Sequence, residues 1–276
     1  MSEPPRSREA RALAESALVR LVRAYGATPE FVLLGGLVPD LLCSGAPNAH
    51  QGTTDVDVQV DLEIAGGAVN AARLEAALTE VGFTPDSEKV WRWRDKTLAA
   101  AVIKIEFLAD LDYARNGETV KFNECEHLGA ANLRGTGFAA RDWDLRTITS
   151  TVDGKEISVE VRVATLPAYL LAKAHAAYGR NLPKDWYDIA YVTLHNDDGG
   201  PDAAADRVLA VFAADLTGQT DTALSELGAN FVDEHAQGAK AFAETMVGLH
   251  PDLDIDRLAN DGVAAVTLFV SRLRRQ

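Results

Sequence analysis

Strand-type patterning in this chain stops at Val163, and from Leu166 to Arg275 the apolar residues recur at helical spacing. The chain therefore reads as two parts, an α/β domain over residues 1–165 and an all-helical domain over 166–276. In the first part, Leu13, Leu18, Leu21, Val22 and Tyr25 predict a helix over 6–26 that stops at Gly26. Phe31 to Leu34 is an apolar run closed by Gly35 and Gly36, the pattern of a buried strand entering a tight turn. Leu37 to Leu42 resembles the first turns of a helix, and residues 43–52 are loop material. Asp55 to Val60 alternates polar and apolar, which predicts a half-buried strand. Residues 67–82 read as a helix. Trp91 to Arg94 and Ala101 to Leu108 read as further strands, and 143–163 as a hairpin about Asp153-Gly154. In the second part Pro167 opens one helix, another begins near Lys184, and Asp197 to Asp202 is a surface turn.

Composition narrows the function classes. With 276 residues, 47% hydrophobic and 25% charged, the chain has an ordinary globular make-up and enough length for a real core. Its two cysteines, Cys43 and Cys125, form no CxxC pattern, so neither a zinc site nor a disulfide framework is expected. They read as small buried hydrophobes. The start is polar, without the apolar core of a secretory signal, and no apolar run is long enough to span a membrane. A reducing cytoplasm is the expected compartment. The net charge is −14, whereas a protein that binds nucleic acid by covering phosphates is usually basic. Any nucleotide or RNA substrate must then meet a local basic patch or bridging metal ions.

Asp55 and Asp57 lie two apart on a predicted strand, so both carboxylates belong to one face. Carboxylates this close repel, and a divalent cation between them removes that penalty. The spacing suits Mg²⁺, with Glu106 on a neighbouring strand as a third ligand. A solvated strand face would explain a lone pair equally well. Gly35 and Gly36 add information, because small residues between strand and helix let backbone N–H groups approach a phosphate. Thr54, in the Gly52-Thr53-Thr54 run ahead of the acidic strand, joins the nucleotide-binding candidates.

This order of elements resembles the nucleotidyltransferase superfamily, the DNA polymerase β-like fold, whose motif is a Gly-Gly or Gly-Ser turn, a spacer, then Asp-x-Asp. The resemblance implies an α+β fold, a mixed sheet flanked by helices, followed here by the helical domain. The spacer is longer than usual through 43–52, and the third acid is Glu106 instead of Asp, with Asp110 competing for the place. A second resemblance, to the AbiEii-type toxin branch, rests on Leu170-Leu171-Ala172-Lys173, Arg180, and Lys184-Asp185-Trp186-Tyr187-Asp188-Ile189. It implies that Lys173 contacts nucleotide phosphates and that Asp188 is needed in the active site. Asp185 and Asp188 share a helical face in any case. A plainer reading is structural, with Lys184 and Asp188 an i,i+4 pair and Asp185 favouring the first helical turn.

The expected activity is a Mg²⁺-dependent transfer of a nucleoside monophosphate from an NTP, releasing pyrophosphate. Asp55, Asp57, Glu106, Lys173 and Asp188 are the catalytic candidates, the first three as metal ligands. Gly35, Gly36, Thr54, Lys173, Lys184 and Asp185 are the nucleotide-binding candidates. The AbiEii-type reading makes the acceptor the 3′ end of tRNA or another RNA, and the chain a toxin with an antitoxin encoded nearby. Two alternatives stand beside it: a small-molecule or protein acceptor, or a nucleotide-binding relative without catalysis. Trp91-Arg92-Trp93-Arg94, with Lys89, Lys96 and Lys104, is the best local basic patch, or else a strand with tryptophans inward and arginines solvated. His175 lies near Lys173, and the other histidines, His50 among them, show no ligand spacing. Trp186 and Tyr187 read as packing residues. The GxSxG, HExxH and Walker A patterns are missing, so hydrolase and kinase readings lose their usual anchors.

Overall fold

A computed structural model describes residues 7–53, 55–59, 68–95, 103–122 and 124–275. The chain divides into two compact units, Met1–Val38 with Gly52–Ala164, and Pro39–Gln51 with Thr165–Gln276. The patterning places 39–51 in the α/β half. In the structure this segment groups with the helices, because its polar groups bond to residues there, as described below.

The first unit is built on a mixed sheet. Helix α1 (Arg8–Tyr25) opens it, with the Ser7 hydroxyl accepting from the Ala10 N–H and Gly26 closing the helix in the left-handed region. Then follow β1 (Val32–Leu34), a 3₁₀ turn over Gly35–Leu37, β2 (Asp55–Gln59) and α3 (Ala68–Glu80); α2 (Pro39–Leu42), between that turn and β2, falls in the second unit. The later strands are β3 (Phe83–Pro85), β4 (Arg92–Asp95), β5 (Lys104–Ala109), β6 (Thr119–Lys121) and β7 (Gly129–Asn132). After α4 (Gly137–Arg141) comes the long hairpin of β8 (Trp143–Val152) and β9 (Lys155–Ala164). The strand order is β3-β4-β5-β2-β1-β9-β8, with β7 beside β5 and β6 beside β7. β2 runs antiparallel to β1 and parallel to β5, so the acidic strand lies at the centre of the sheet. Leu18, Leu21, Leu33, Trp93, Ile105, Phe107 and Val161 are buried in its core.

The second unit is helical. It comprises α5 (Leu166–Arg180), α6 (Pro183–His195), α7 (Pro201–Phe212), α8 (Gln219–Ala229), α9 (Gln237–Leu249) and α10 (Ile255–Leu273), together with α2 and its loop. A proline sits in the first turn of α5, α6 and α7, where its missing N–H has no helical partner to lose. Trp186, Tyr187, Phe231, Phe242 and Phe269 are buried in this unit. No helix among the described residues is long and apolar enough to cross a membrane.

The sequence-level elements map closely onto these. The helix expected over 6–26, the strand before Gly35, the acidic strand, the hairpin about Asp153-Gly154 and the helices after Leu166 are all present. The short strands β3, β6 and β7 and helix α4 were not anticipated: each is five residues or shorter, below the length at which periodicity declares itself.

Candidate active site

The candidate residues fall into two groups, one in each unit. In the first unit, Leu34, the last residue of β1, pairs with Asp57 across the antiparallel ladder. The chain then turns through Gly35, whose φ is +80°, a value that favours a residue without a Cβ. Gly36 follows with a different requirement. A Cβ placed there would come within 2.6 Å of the Thr53 Cβ, so the Gly-Gly turn lies tightly against the residues that lead into β2. On the other side of β2, Asp57 pairs with Glu106 and Asp55 with Lys104 in the parallel ladder with β5. The backbone thus gathers Gly35, Gly36, Asp55, Asp57 and Glu106 on two adjacent strands and the turn that follows β1. Thr54 and the side chains of Asp55 and Asp57 lie outside the described residues.

Glu106 has a defined partner. Arg92 on β4, directly opposite in the antiparallel ladder, donates to Oε1 from Nε at 2.6 Å, with its terminal nitrogen at 2.5 Å. A guanidinium fork on a half-buried carboxylate holds it in one orientation. Asp110, the competing third acid, is committed elsewhere. It accepts from the backbone N–H groups of Gly135 and Gly137 at 2.7 and 3.2 Å and from Arg134 at 3.3 Å, fixing the turn before α4.

The expected basic patch does not form from Trp91 to Arg94. Trp93 is buried, Arg92 is bound to Glu106 and Arg94 to Asp86. Lys89 stands over the Trp91 ring, 5.2 Å from its centroid, and Lys104 is buried. Lys96 lies outside the described residues. Both arginines neutralise carboxylates in this sheet.

In the second unit the sequence motif becomes a buried charge cluster. Asp185 and Asp188, one turn apart on α6, turn the same face toward Lys173 on α5. Lys173 Nζ donates to Asp188 Oδ2 at 2.6 Å and to Asp185 Oδ1 at 3.4 Å. Arg180, in the last turn of α5, donates to the same Asp185 oxygen at 2.8 Å. Both aspartates are completely buried. Burial by itself lowers the pKa of Lys173; the charges of Asp188 and then Asp185 outweigh it, and the net direction is upward. The ammonium therefore stays charged at neutral pH.

His50, set aside on sequence grounds, belongs to this cluster. Its Nε2 donates to Asp188 Oδ1 at 3.0 Å, and it comes from the long spacer that separates Gly36 from Asp55. No spacing rule links positions 138 apart in sequence. The loop carrying it is bound at both ends. Asp197 accepts from the backbone N–H groups of Ser44 and Gly45, the Tyr191 hydroxyl donates to the Asn48 carbonyl, and the Gln51 N–H donates to the Tyr187 hydroxyl.

Three smaller expectations change. Asp188 pairs with Lys173 and His50, and not with Lys184, which is half-buried in the first turn of α6. His175 bonds the Thr220 hydroxyl at 3.1 Å on α8. Cys43 is buried as expected, but Cys125 is only half-buried. Trp186 and Tyr187 are packing residues, both buried.

Comparison with known proteins bears on residues 135–261, which match a family model described as the nucleotidyl transferase AbiEii toxin of a type IV toxin–antitoxin system. That segment contains Lys173, Arg180, Asp185 and Asp188. No curated protein matches the chain. A crystal structure from H. pylori, of a protein provisionally named a nucleotidyltransferase, aligns over 98% of each chain with a TM-score of 0.40 and 12% identity. Residues 135–261 are thus similar to the AbiEii nucleotidyltransferase toxin family.

Proposed function

We propose that the protein transfers a nucleoside monophosphate from an NTP to an acceptor hydroxyl, and acts as the toxin of a toxin–antitoxin pair. The observation that carries the chemistry is the ladder register of β2. It sets the Gly35-Gly36 turn against one side of the Asp55-x-Asp57 segment and Glu106 against the other. The match over residues 135–261 supports the toxin reading and, with it, an antitoxin partner.

The donor set fits a hard divalent cation. Asp55, Asp57 and Glu106 are oxygen donors on neighbouring strands, and such sets favour Mg²⁺ over softer ions. When bound there, the cation would neutralise charge developing on the pyrophosphate leaving group. Arg92 would hold Glu106 oriented for that role. The backbone of Gly35 and Gly36 would admit the triphosphate closely, and Thr54 belongs with that turn as a further contact. Lys173 would contribute a compact positive charge to the phosphates, with Asp185 and Asp188 holding it in place and Lys184 adding charge at the start of α6. Catalysis of this kind is mostly positioning and electrostatics. The acceptor proposed is the 3′ end of tRNA or another RNA, and the compartment a reducing cytoplasm.

The test is transfer of label from each α-³²P NTP, with Mg²⁺, to total tRNA and in parallel to total protein. Label in tRNA that disappears with Asp57→Ala supports the proposal and names the base. Label in protein moves the acceptor to a side-chain hydroxyl. Label in neither, with small-molecule acceptors also negative, contradicts the transferase reading for this chain.

A further inference from the structure

Among the described residues, β3, β6 and β8 each have a neighbouring strand on one side only. A free strand edge is a template for another chain, and folded proteins blunt it with shortness, lysine, proline or a bulge. β3 and β6 are three residues each, so shortness protects them. β8 has ten residues and lacks the other devices. Its sequence holds no proline and no lysine, and its ladder with β9 runs without a bulge from Trp143–Ala164 to Val152–Lys155.

The backbone groups of β8 alternate between β9 and the open edge. Val152 and Lys155 flank the two-residue turn and form the bonded pair that closes the hairpin. Counting back by twos, the N–H and C=O groups of Thr151, Thr149, Thr147, Leu145 and Trp143 point outward. The Thr151 carbonyl accepts from the Ser16 hydroxyl of α1 at 3.3 Å, in keeping with that alternation. From Trp143 to Thr149 the outward groups have no backbone partner among the described residues. Beside this open stretch, Leu145 is 53% exposed, and Trp143 lies at the surface with the Arg162 guanidinium 4.5 Å from its ring centroid. Asp144 and Arg146 share the opposite face, 3.4 Å apart and both about half exposed.

The charges select the occupant. Two copies of β8 can pair antiparallel about a two-fold axis, so that each face meets the same face of the other copy. Three symmetric registers lie within the open stretch, centred on Leu145, Arg146 or Thr147. Centring on Arg146 sets that arginine opposite its own copy, which like charge disfavours. Centring on Thr147 sets Arg146 opposite the buried, apolar Ile148. Centring on Leu145 sets Asp144 opposite Arg146 and Arg146 opposite Asp144, in the pairs where facing side chains come closest. On the other face Leu145 then meets Leu145 of the second copy, and Trp143 meets Thr147. We propose that the protein self-associates through the outer edge of β8, two copies pairing antiparallel over Trp143–Thr147 to make one continuous sheet. So short a contact belongs to the weak end of specific interfaces, and the dimer should form and dissociate with concentration.

Sedimentation equilibrium of the full-length protein, from about 1 µM to about 300 µM, tests this. The mass should climb from 29.6 kDa toward twice that value. Asp144→Arg and Arg146→Asp each set like charges opposite one another, and each should weaken association about a hundredfold. The double variant Asp144→Arg with Arg146→Asp restores opposite charges in the same register. Its dissociation constant should return to within about threefold of wild type. An equimolar mixture of the two single variants should pair, although neither pairs with itself. Both side chains are at the surface, so the variants should fold, which a melting curve by circular dichroism checks. Wild type that stays monomeric throughout overturns the proposal and leaves the edge to a partner of another kind. A dimer that Asp144→Arg leaves intact overturns it by placing the contact elsewhere. A double variant that stays as monomeric as the single ones overturns the pairing of Asp144 with Arg146.

Discussion

At the scale of single residues, the buried lysine governs the behaviour of the helical unit. Lys173→Met removes the cation nearest Asp188 and one of two on Asp185, leaving buried negative charge only partly compensated. It should lower stability by roughly 3 kcal/mol, measured by urea unfolding. The pH dependence has a definite sign. A lysine whose folded pKa is raised contributes stability that is fully present below its unfolded value and is lost as pH climbs through the folded one. The gap between wild type and Lys173→Met should therefore stay constant through neutral pH and narrow only above about pH 10.4, the ordinary lysine value. Cys125 gives a second residue-level prediction. Partial burial first, then the charges of Glu75 and Glu124, push its thiol up to about 11 from 9.0. Near pH 8 it should carry about a hundredfold less thiolate than an unperturbed thiol, and alkylation by iodoacetamide should be correspondingly slow.

At the scale of elements, two glycines illustrate different demands. Gly154 occupies the second position of the β8–β9 turn, with φ +74° after Asp153 at +51°. Nothing lies near the place its Cβ would take, so the requirement is backbone conformation alone. Gly154→Ala should cost about 1 kcal/mol, seen as a lower melting temperature without loss of transfer. Gly36 is the opposite case, because the obstacle is Thr53. Gly36→Ala should cost about 2 kcal/mol by overpacking, and adding Thr53→Gly should recover part of it. The Asp153-Gly154 turn and the alternation at Asp55–Val60 were legible because a hairpin and a half-buried strand write a period of two into local sequence. Lys173, Asp185 and Asp188 were legible through their helical spacing and the family resemblance. His50, and the pairing of Arg92 with Glu106, were not. Both depend on partners brought together by tertiary structure, and no local pattern encodes them. The arginines of Trp91 to Arg94 misled for the same reason: alternation shows which residues share a face, not which carboxylates stand opposite.

At the scale of the whole molecule, the helical unit is discontinuous in sequence. Residues 39–51 supply His50 to Asp188, the Asn48 and Gln51 backbone to two tyrosines, and Ser44 and Gly45 to Asp197. A fragment of residues 165–276 should therefore melt at a lower temperature than one in which 39–51 is joined to it by a flexible linker, by circular dichroism. The net charge of −14 acts at the same scale: in the proposed reaction phosphate-bearing substrates approach an acidic molecule, and their binding would depend on local cations such as Lys173 and on a divalent metal.

The central claim concerns which phosphate moves. It is tested most directly by presenting the full-length protein, Mg²⁺ and total tRNA with the same NTP labelled at either the α or the γ phosphate. The account predicts α label in the RNA, γ label released in pyrophosphate, and loss of both with Asp57→Ala while the melting temperature holds. Transfer of the γ label, or α transfer that survives Asp57→Ala, would contradict it.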